Sequence, residues 1–285
     1  MKSESTTHWD RVLTARTGLF DLHLSELIKY KDLLFLLVRR DFVAFYKQTA
    51  LGPIWFFIQP IFTTFVYVFI FGTLAKISTD GIAQPVFYLS GIIAWSYFAD
   101  CVLKTSNVFR ENASIFGKVY FPRLVMPLSI VISNLVKLTI QLVLMIFVIV
   151  YYEVIGVNTF DPTIYLLALP LLILIMAVMG LGFGMMISSI TTKYRDIGFL
   201  VSFAMPLLMY ATTVVYPLSS VNGKLKLLIM INPMTAVIEG FRKGLFNQGE
   251  FSLNNLIYLI VFSTIILIIG TVIFNKVQKD FVDTI

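Results

Sequence analysis

Asp100 and Lys137 stand inside long apolar runs, so any chemistry of this 285-residue chain is sought there first. Counted from the ends nearest the basic connections, Asp100 lies nine residues from Phe109 and Lys137 ten from Pro127. At ~1.5 Å of rise per helical residue, both sit ~14 Å deep in a membrane. Charges at such depth face the protein interior or a water-filled cavity and tend to pair with one another. An ion pair across adjacent antiparallel helices is therefore expected, with snorkelling toward the headgroups as the other course open to Lys137. Ser129, Ser133, Lys137 and Gln141, spaced by four, extend a polar ridge along the same run.

Two further sets combine polar and aromatic groups on one helix face. Gln59, Thr63 and Tyr67, followed by Ile70, approximate one stripe, and Ser202, Met205, Met209, Thr212 and Tyr216 form another. Aromatic rings stack on the C–H faces of sugars, and tyrosine adds a polar handle. Either stripe could line the path of a cargo, and either could instead pack helices, because small and polar residues do that in bilayers.

Covalent chemistry finds no support. No G-x-x-x-x-G-K-[ST] phosphate loop occurs, so the chain cannot cradle nucleotide phosphates in that manner. The Gly-rich "MGLGFGM" at 179–185 sits in an apolar run, where close helix packing accounts for it. Acidic residues are scattered, without the clustered carboxylates or Asp-rich metal motif that a glycosyl or phosphoryl transferase would need. Cys101 is the single cysteine, so no disulfide forms within the chain. His8 and His23 lie outside the apolar runs, and no metal or cofactor is expected.

The elements that hold these residues follow from composition. Hydrophobic residues make up 58% of the chain, charged residues 13%, and the mean hydropathy is +0.87. Average soluble domains are about 45–50% apolar and about 25% charged, so an all-α membrane protein is expected. Six transmembrane helices are placed at about 54–75, 86–109, 127–151, 163–190, 198–218 and 254–274. Residues 1–53 form a cytoplasmic N-terminal segment with an amphipathic interfacial helix over 22–50, residues 54–275 the transmembrane domain, and 276–285 a cytoplasmic tail. Eight Lys and Arg precede the first span and four lie in 104–126, whereas Lys76 is alone in the first connection on the other side. By the positive-inside rule both termini are cytoplasmic. Lys224, Lys226, Arg242 and Lys243 oppose that rule, because six spans put 219–251 outside. Asn232-Pro233 and Glu239 argue against a seventh span, so re-entrant helices before the last span are preferred over an interfacial loop.

Leu24, Leu27, Ile28, Leu34, Leu37 and Val38 give the surface helix its apolar stripe. Gly52 and Pro53 break that helix and act as a hinge into the first span, with Trp55 as interfacial anchor. Pro60 is expected to kink that span.

"RRDFVAFYKQTALGPIWFFIQP", "FGKVYFPRLVMPLS", "TTKYRDIGF" and "INPMTAVIEGFR" occur in this order. Together they resemble the membrane subunit of type-two ABC exporters for cell-surface polysaccharides, the permeases for O-antigen, capsule and teichoic acid polymers. The resemblance covers about residues 35–250 and departs from the family's usual pattern at Phe45, where a basic residue commonly precedes the tyrosine. It implies a homodimer in a bacterial inner membrane, paired with two copies of a separate ABC ATPase subunit and enclosing a channel for a lipid-linked polysaccharide. It implies no nucleic-acid partner. The ATPase contact then falls on 109–127, where Ile115, Phe116, Val119 and Phe121 would enter a groove beside Arg110, Glu111 and Lys118. An exporter of a drug or small lipid would share the scaffold.

Overall fold

In a bilayer every backbone N–H and C=O must be satisfied inside the chain, which for a sequence this apolar selects helices. The computed structural model describes residues 28–47, 49–112, 115, 121–157 and 160–282, and every regular element among them is helical. Helix α1 (Lys31–Lys47) leads through a 3-10 turn (Gly52–Ile54) into α2 (Trp55–Tyr67), which ends in a π-helical stretch, Val68–Leu74. Then come α3 (Gln84–Ser106), a single turn at Val108–Glu111, and α4 (Val125–Val154). A second 3-10 turn (Ile164–Ala168) opens α5 (Leu169–Thr191), and α6 (Asp196–Tyr210), α7 (Gly223–Ile231), α8 (Pro233–Phe246) and α9 (Leu253–Val282) complete the order.

Five stretches are long and apolar enough to cross a membrane: Gly52–Leu74, Gln84–Ser106, Val125–Val154, Ile164–Thr191 and Leu253–Val277. They correspond to five of the six expected spans. The expected span at 198–218 is helical only in part, since α6 has 15 residues and stops at Tyr210. Its length of ~22 Å falls short of a ~30 Å hydrocarbon core. The sequence after it explains the stop: Thr212, Thr213, Val214 and Val215 are all β-branched, and Tyr216 precedes Pro217, which disfavours helical backbone.

Helix α3 is the hub. In its most apolar window 83% of residues are buried, against 22% to 33% in the other four long helices, which turn most of their apolar surface outward. Glycines let α5 approach it. A Cβ added at Gly180 would lie 2.6 Å from the Cys101 Cβ, and one at Gly184 would lie 2.4 Å from the Thr105 Cβ. Gly182 and Gly270 likewise bring α5 and α9 together, since a Cβ on Gly270 would meet the Gly182 carbonyl at 2.5 Å. The Gly-rich run at 179–185 thus packs helices, as expected.

The two ends of the bundle are distinct. At one, Leu37 of α1 is buried with Val108, Phe109, Phe121, Val125, Met126, Met185 and Phe274, and the Phe109 and Phe274 rings stack with centroids 4.7 Å apart. Both the first and the last described helices therefore reach this end. At the other, Ser219 donates to Asp80 at 2.7 Å, and the amides of Asp161 and Thr163 donate to the carbonyls of Leu245 and Gly244. The connections after α2 and α4 thus meet the 211–252 region.

Candidate transport site

Asp100 and Lys137, the two charges expected inside the apolar runs, meet where α3 and α4 pack. Lys137 Nζ donates to Asp100 Oδ2 at 2.7 Å, with the two side chains 15% and 27% exposed. One turn nearer the Phe109 end, Lys104 Nζ donates to Asn134 Oδ1 at 2.8 Å, and the Asn134 amide reaches the Cys101 sulfur at 3.8 Å. The result is a ladder of two rungs, one ionic and one charge-to-amide. Asn134 was not singled out in the sequence, although it stands three residues before Lys137 and so shares its helix face. Of the expected ridge, Ser129 bonds to the Met126 carbonyl and Gln141 is buried, while Ser133 Oγ makes no hydrogen bond within the described residues.

The two stripes touch at one point: Tyr67 of α2 donates to the sulfur of Met209 on α6 across 3.7 Å. Elsewhere they divide. Gln59 and Ser202 are exposed and Thr63 is half-buried, whereas Tyr67, Met205 and Thr212 are buried within the chain. Met205 lines an apolar groove of about 270 Å³ with Trp95, Phe98 and Phe183. Thr63 and Thr212 return their hydroxyls to the carbonyls of Gln59 and Met209, and Tyr216 donates to the Tyr210 carbonyl at 3.2 Å.

At the entry to α2, Gly52 has φ +55°, a left-handed conformation that glycine adopts without strain. Pro53 occupies the first turn that follows, where its missing N–H costs nothing. Phe42 of α1 stacks on Phe56 of α2 at 6.3 Å, holding the bend, and Trp55 is exposed beside it. Pro60 is buried inside α2, and the irregular helix lies farther on, at the π-helical stretch. Within α1, Leu37 is buried while Phe35 and Leu36 are 81% and 63% exposed, so two apolar faces diverge. Leu24, Leu27, His8 and His23 lie outside the described residues.

Arg110 and Glu111 are exposed and Ile115 is half-buried. Phe121, also expected at that contact, is only 6% exposed and lies in the cluster with Phe109 and Val125. Phe116, Lys118 and Val119 lie outside the described residues.

The residues that sequence reasoning missed are on α8. Glu239 and Arg242 are each 1% exposed, and Arg242 Nη1 lies 3.4 Å from Glu239 Oε1. Arg242 Nη2 donates to the Val214 carbonyl at 3.2 Å, and its guanidinium lies 3.6 Å from the centre of the Phe87 ring. Glu239 Oε2 accepts from the Glu250 amide at 2.9 Å. The Glu239 carboxylate and the Val214 carbonyl beside it offset the cost of burying the guanidinium. The i, i+3 spacing of Glu239 and Arg242 was a usable signal.

Three of the four basic residues that oppose the positive-inside rule have partners within the chain. Arg242 is paired within the protein, Lys226 pairs with Glu250, and Lys243 donates to the carbonyl and side chain of Asn247, which in turn donates to Asp161. Among the described residues no group of His, Cys, Asp or Glu is arranged to hold a metal ion.

Comparison with known proteins agrees with this chemistry. The chain is 27% identical over 263 residues to the O-antigen export system permease protein RfbA of Myxococcus xanthus, covering 91% of this chain and 98% of that one. It is 21% identical over 264 residues to the capsule polysaccharide export inner-membrane protein CtrC of Neisseria meningitidis, covering 90% and 95%. With the polysialic acid transport protein KpsM of Escherichia coli it shares 23% identity over 243 residues, covering 82% and 89%. The family described as ABC-2 type transporter matches residues 32–246, so with its apolar helices and its lack of a phosphate loop this chain belongs to the ABC-2 type transporter family.

Proposed function

We propose that this chain is the permease of an ABC exporter that moves a lipid-linked polysaccharide across a bacterial inner membrane. It acts as a homodimer with two copies of a separate ATPase subunit. The observation that carries the reading is near end-to-end similarity to permeases of O-antigen and capsule export. Those relatives handle polymers, which favours a polymer over a drug or small lipid as cargo.

The topology that supports it has six crossings. Helix α1 reaches one end of the bundle through Leu37, and α5 and α9 both bring their C-terminal parts there through Met185 and Phe274, so the two run in the same direction. Residues 196–252 must then cross once more, with α6 as the helical part, the buried segment 211–217 completing the passage, and α7 and α8 as a re-entrant pair. Irregular backbone is tolerated at membrane depth when protein covers it. Thr212, Thr213, Val214 and Val215 are indeed buried. The inner end carries both termini.

The channel forms between two copies, along the faces of α2 and α6 that carry Gln59, Thr63 and Ser202 and past Tyr216 in the segment after α6, with the Tyr67–Met209 contact fixing the two helices to each other. Asp100 and Lys137 support the α3–α4 wall beside it. Arg110, Glu111 and Ile115, with Phe116, Lys118 and Val119, receive the ATPase, and α1 tilts on Gly52-Pro53 to pass that motion to α2. Deleting the gene tests the reading: surface polymer should disappear while lipid-linked polymer accumulates inside the cell. Normal surface polymer after deletion would rule it out. In a Cys101→Ser background, Phe116→Cys should cross-link to the ATPase, and cross-links from 219–251 instead would invert the topology.

A further inference from the structure

Arg242 does more than neutralise Glu239. Its second nitrogen holds the carbonyl of Val214, which belongs to the irregular segment between α6 and α7. That segment lies directly on the hub helix: a Cβ added at Gly91 would be 3.1 Å from the Val214 Cα, so the two backbones are in contact. One guanidinium thus ties together α8, the irregular segment and, through the Phe87 ring, α3.

A second observation shows that this junction is not satisfied as a fixed core would be. Arg242 Nε, Tyr88 Oη, Thr213 Oγ1 and Thr235 Oγ1 are all buried, and none makes a hydrogen bond within the described residues. Thr213 adjoins Val214, Thr235 stands one turn before Glu239, and Tyr88 adjoins Phe87. Arg242 Nε belongs to the salt bridge itself, and an unsatisfied polar atom on each of the three segments that Arg242 joins makes this packing costly relative to one that gives them partners. Packed junctions of this kind switch between discrete arrangements rather than deforming smoothly.

We propose that Arg242 is the latch of a movable outer gate. While its guanidinium holds the Val214 carbonyl, residues 211–217 stay packed on α3 and the outer end is closed. When the bond breaks, that segment and the α7–α8 pair swing away together, and the hydroxyls of Tyr88, Thr213 and Thr235 gain partners in the opened path. Arg242 is a positioning residue here and touches no cargo. The inference rests on the topology proposed above, which puts this end outside.

The test uses the whole chain in its native membrane, with Cys101→Ser and Thr213→Cys, and a membrane-impermeant maleimide added from outside. Thr213 is fully buried, so labelling of the parent should be slow. Arg242→Met should speed it about tenfold or more, as expected for an opening equilibrium that loses a hydrogen bond from a charged group. Arg242→Lys should give an intermediate rate. The decisive variant is Glu239→Gln with Arg242→Met, which removes the stranded carboxylate without restoring the tie to Val214. Thermal stability should recover in it while labelling stays fast. If labelling instead returns to the parent rate along with stability, Arg242 is structural only and the latch is overturned. An unchanged rate in Arg242→Met overturns it as well. Leu138→Cys, buried on α4, must stay unlabelled throughout; labelling there in Arg242→Met marks unfolding and leaves the Lys variant to decide by the same criterion. None of these readouts needs transport, so they fail or succeed independently of the export assignment, which the gene deletion tests.

Discussion

Two acid–base pairs among the described residues of the helix bundle are built in opposite ways. Lys137 and Asp100 are close, at 2.7 Å, and partly exposed on the side of the bundle. Arg242 and Glu239 are farther apart, at 3.4 Å, yet sealed from solvent. The first pair gains from direct contact and retains access to its surroundings. The second has further groups around it, the Val214 carbonyl, the Phe87 ring and the Glu250 amide, while Arg242 Nε makes no hydrogen bond within the described residues. A buried charge is held by its whole shell of partners, whereas a peripheral one needs little beyond its counter-ion.

The largest expected effect comes from stripping one partner of the sealed pair. Glu239→Ala should destabilise the purified protein by about 3–5 kcal/mol, because it strands a buried guanidinium. Asp100→Ala should cost less, about 1–3 kcal/mol, since Lys137 can extend toward the headgroups. Thermal melts of the two variants in the same detergent check the order, and equal losses would erase the distinction drawn here. Next comes a double-mutant cycle at the peripheral pair. Asp100→Asn with Lys137→Met should be milder than the two single effects added, by about 0.5–3 kcal/mol, and simple additivity would mean that no coupled pair exists. The second rung is smaller again. Asn134→Leu should cost about 1 kcal/mol, with Lys104 free to turn outward, and the comparison sharpens if Lys104→Met costs no more.

The smallest effect on stability, though not on function, is expected at the hinge. Gly52→Ala with Pro53→Ala joins α1 to α2 in continuous helix and should move the melting temperature little. Polymer export should still fall while the ATPase subunit co-purifies as before. Full export by this variant would remove the hinge from the mechanism.

Reading the sequence recovered the five long helices because hydrocarbon thickness and side-chain hydropathy act locally along a chain. Position by position, the same logic found the break at Gly52-Pro53 and the packing role of Gly180, Gly182 and Gly184. It also brought Asp100 and Lys137 to a common depth, because a helix advances by a fixed rise per residue. The early end of α6 was written in the β-branched run from Thr212 to Val215, but hydropathy outweighed it.

What the tertiary structure alone decided were the partners of groups whose residue types permit several. Phe121 could have faced a partner protein and instead packs among Phe109, Val125 and Phe274. Among the basic residues of 219–251, Lys226 meets Glu250, and Arg242 meets Glu239 and the Val214 carbonyl. Those contacts join residues up to 28 positions apart. Periodicity reports which face of a helix a side chain occupies, but a buried charge is stabilised by whatever lies opposite, and only the packing of distant segments supplies it.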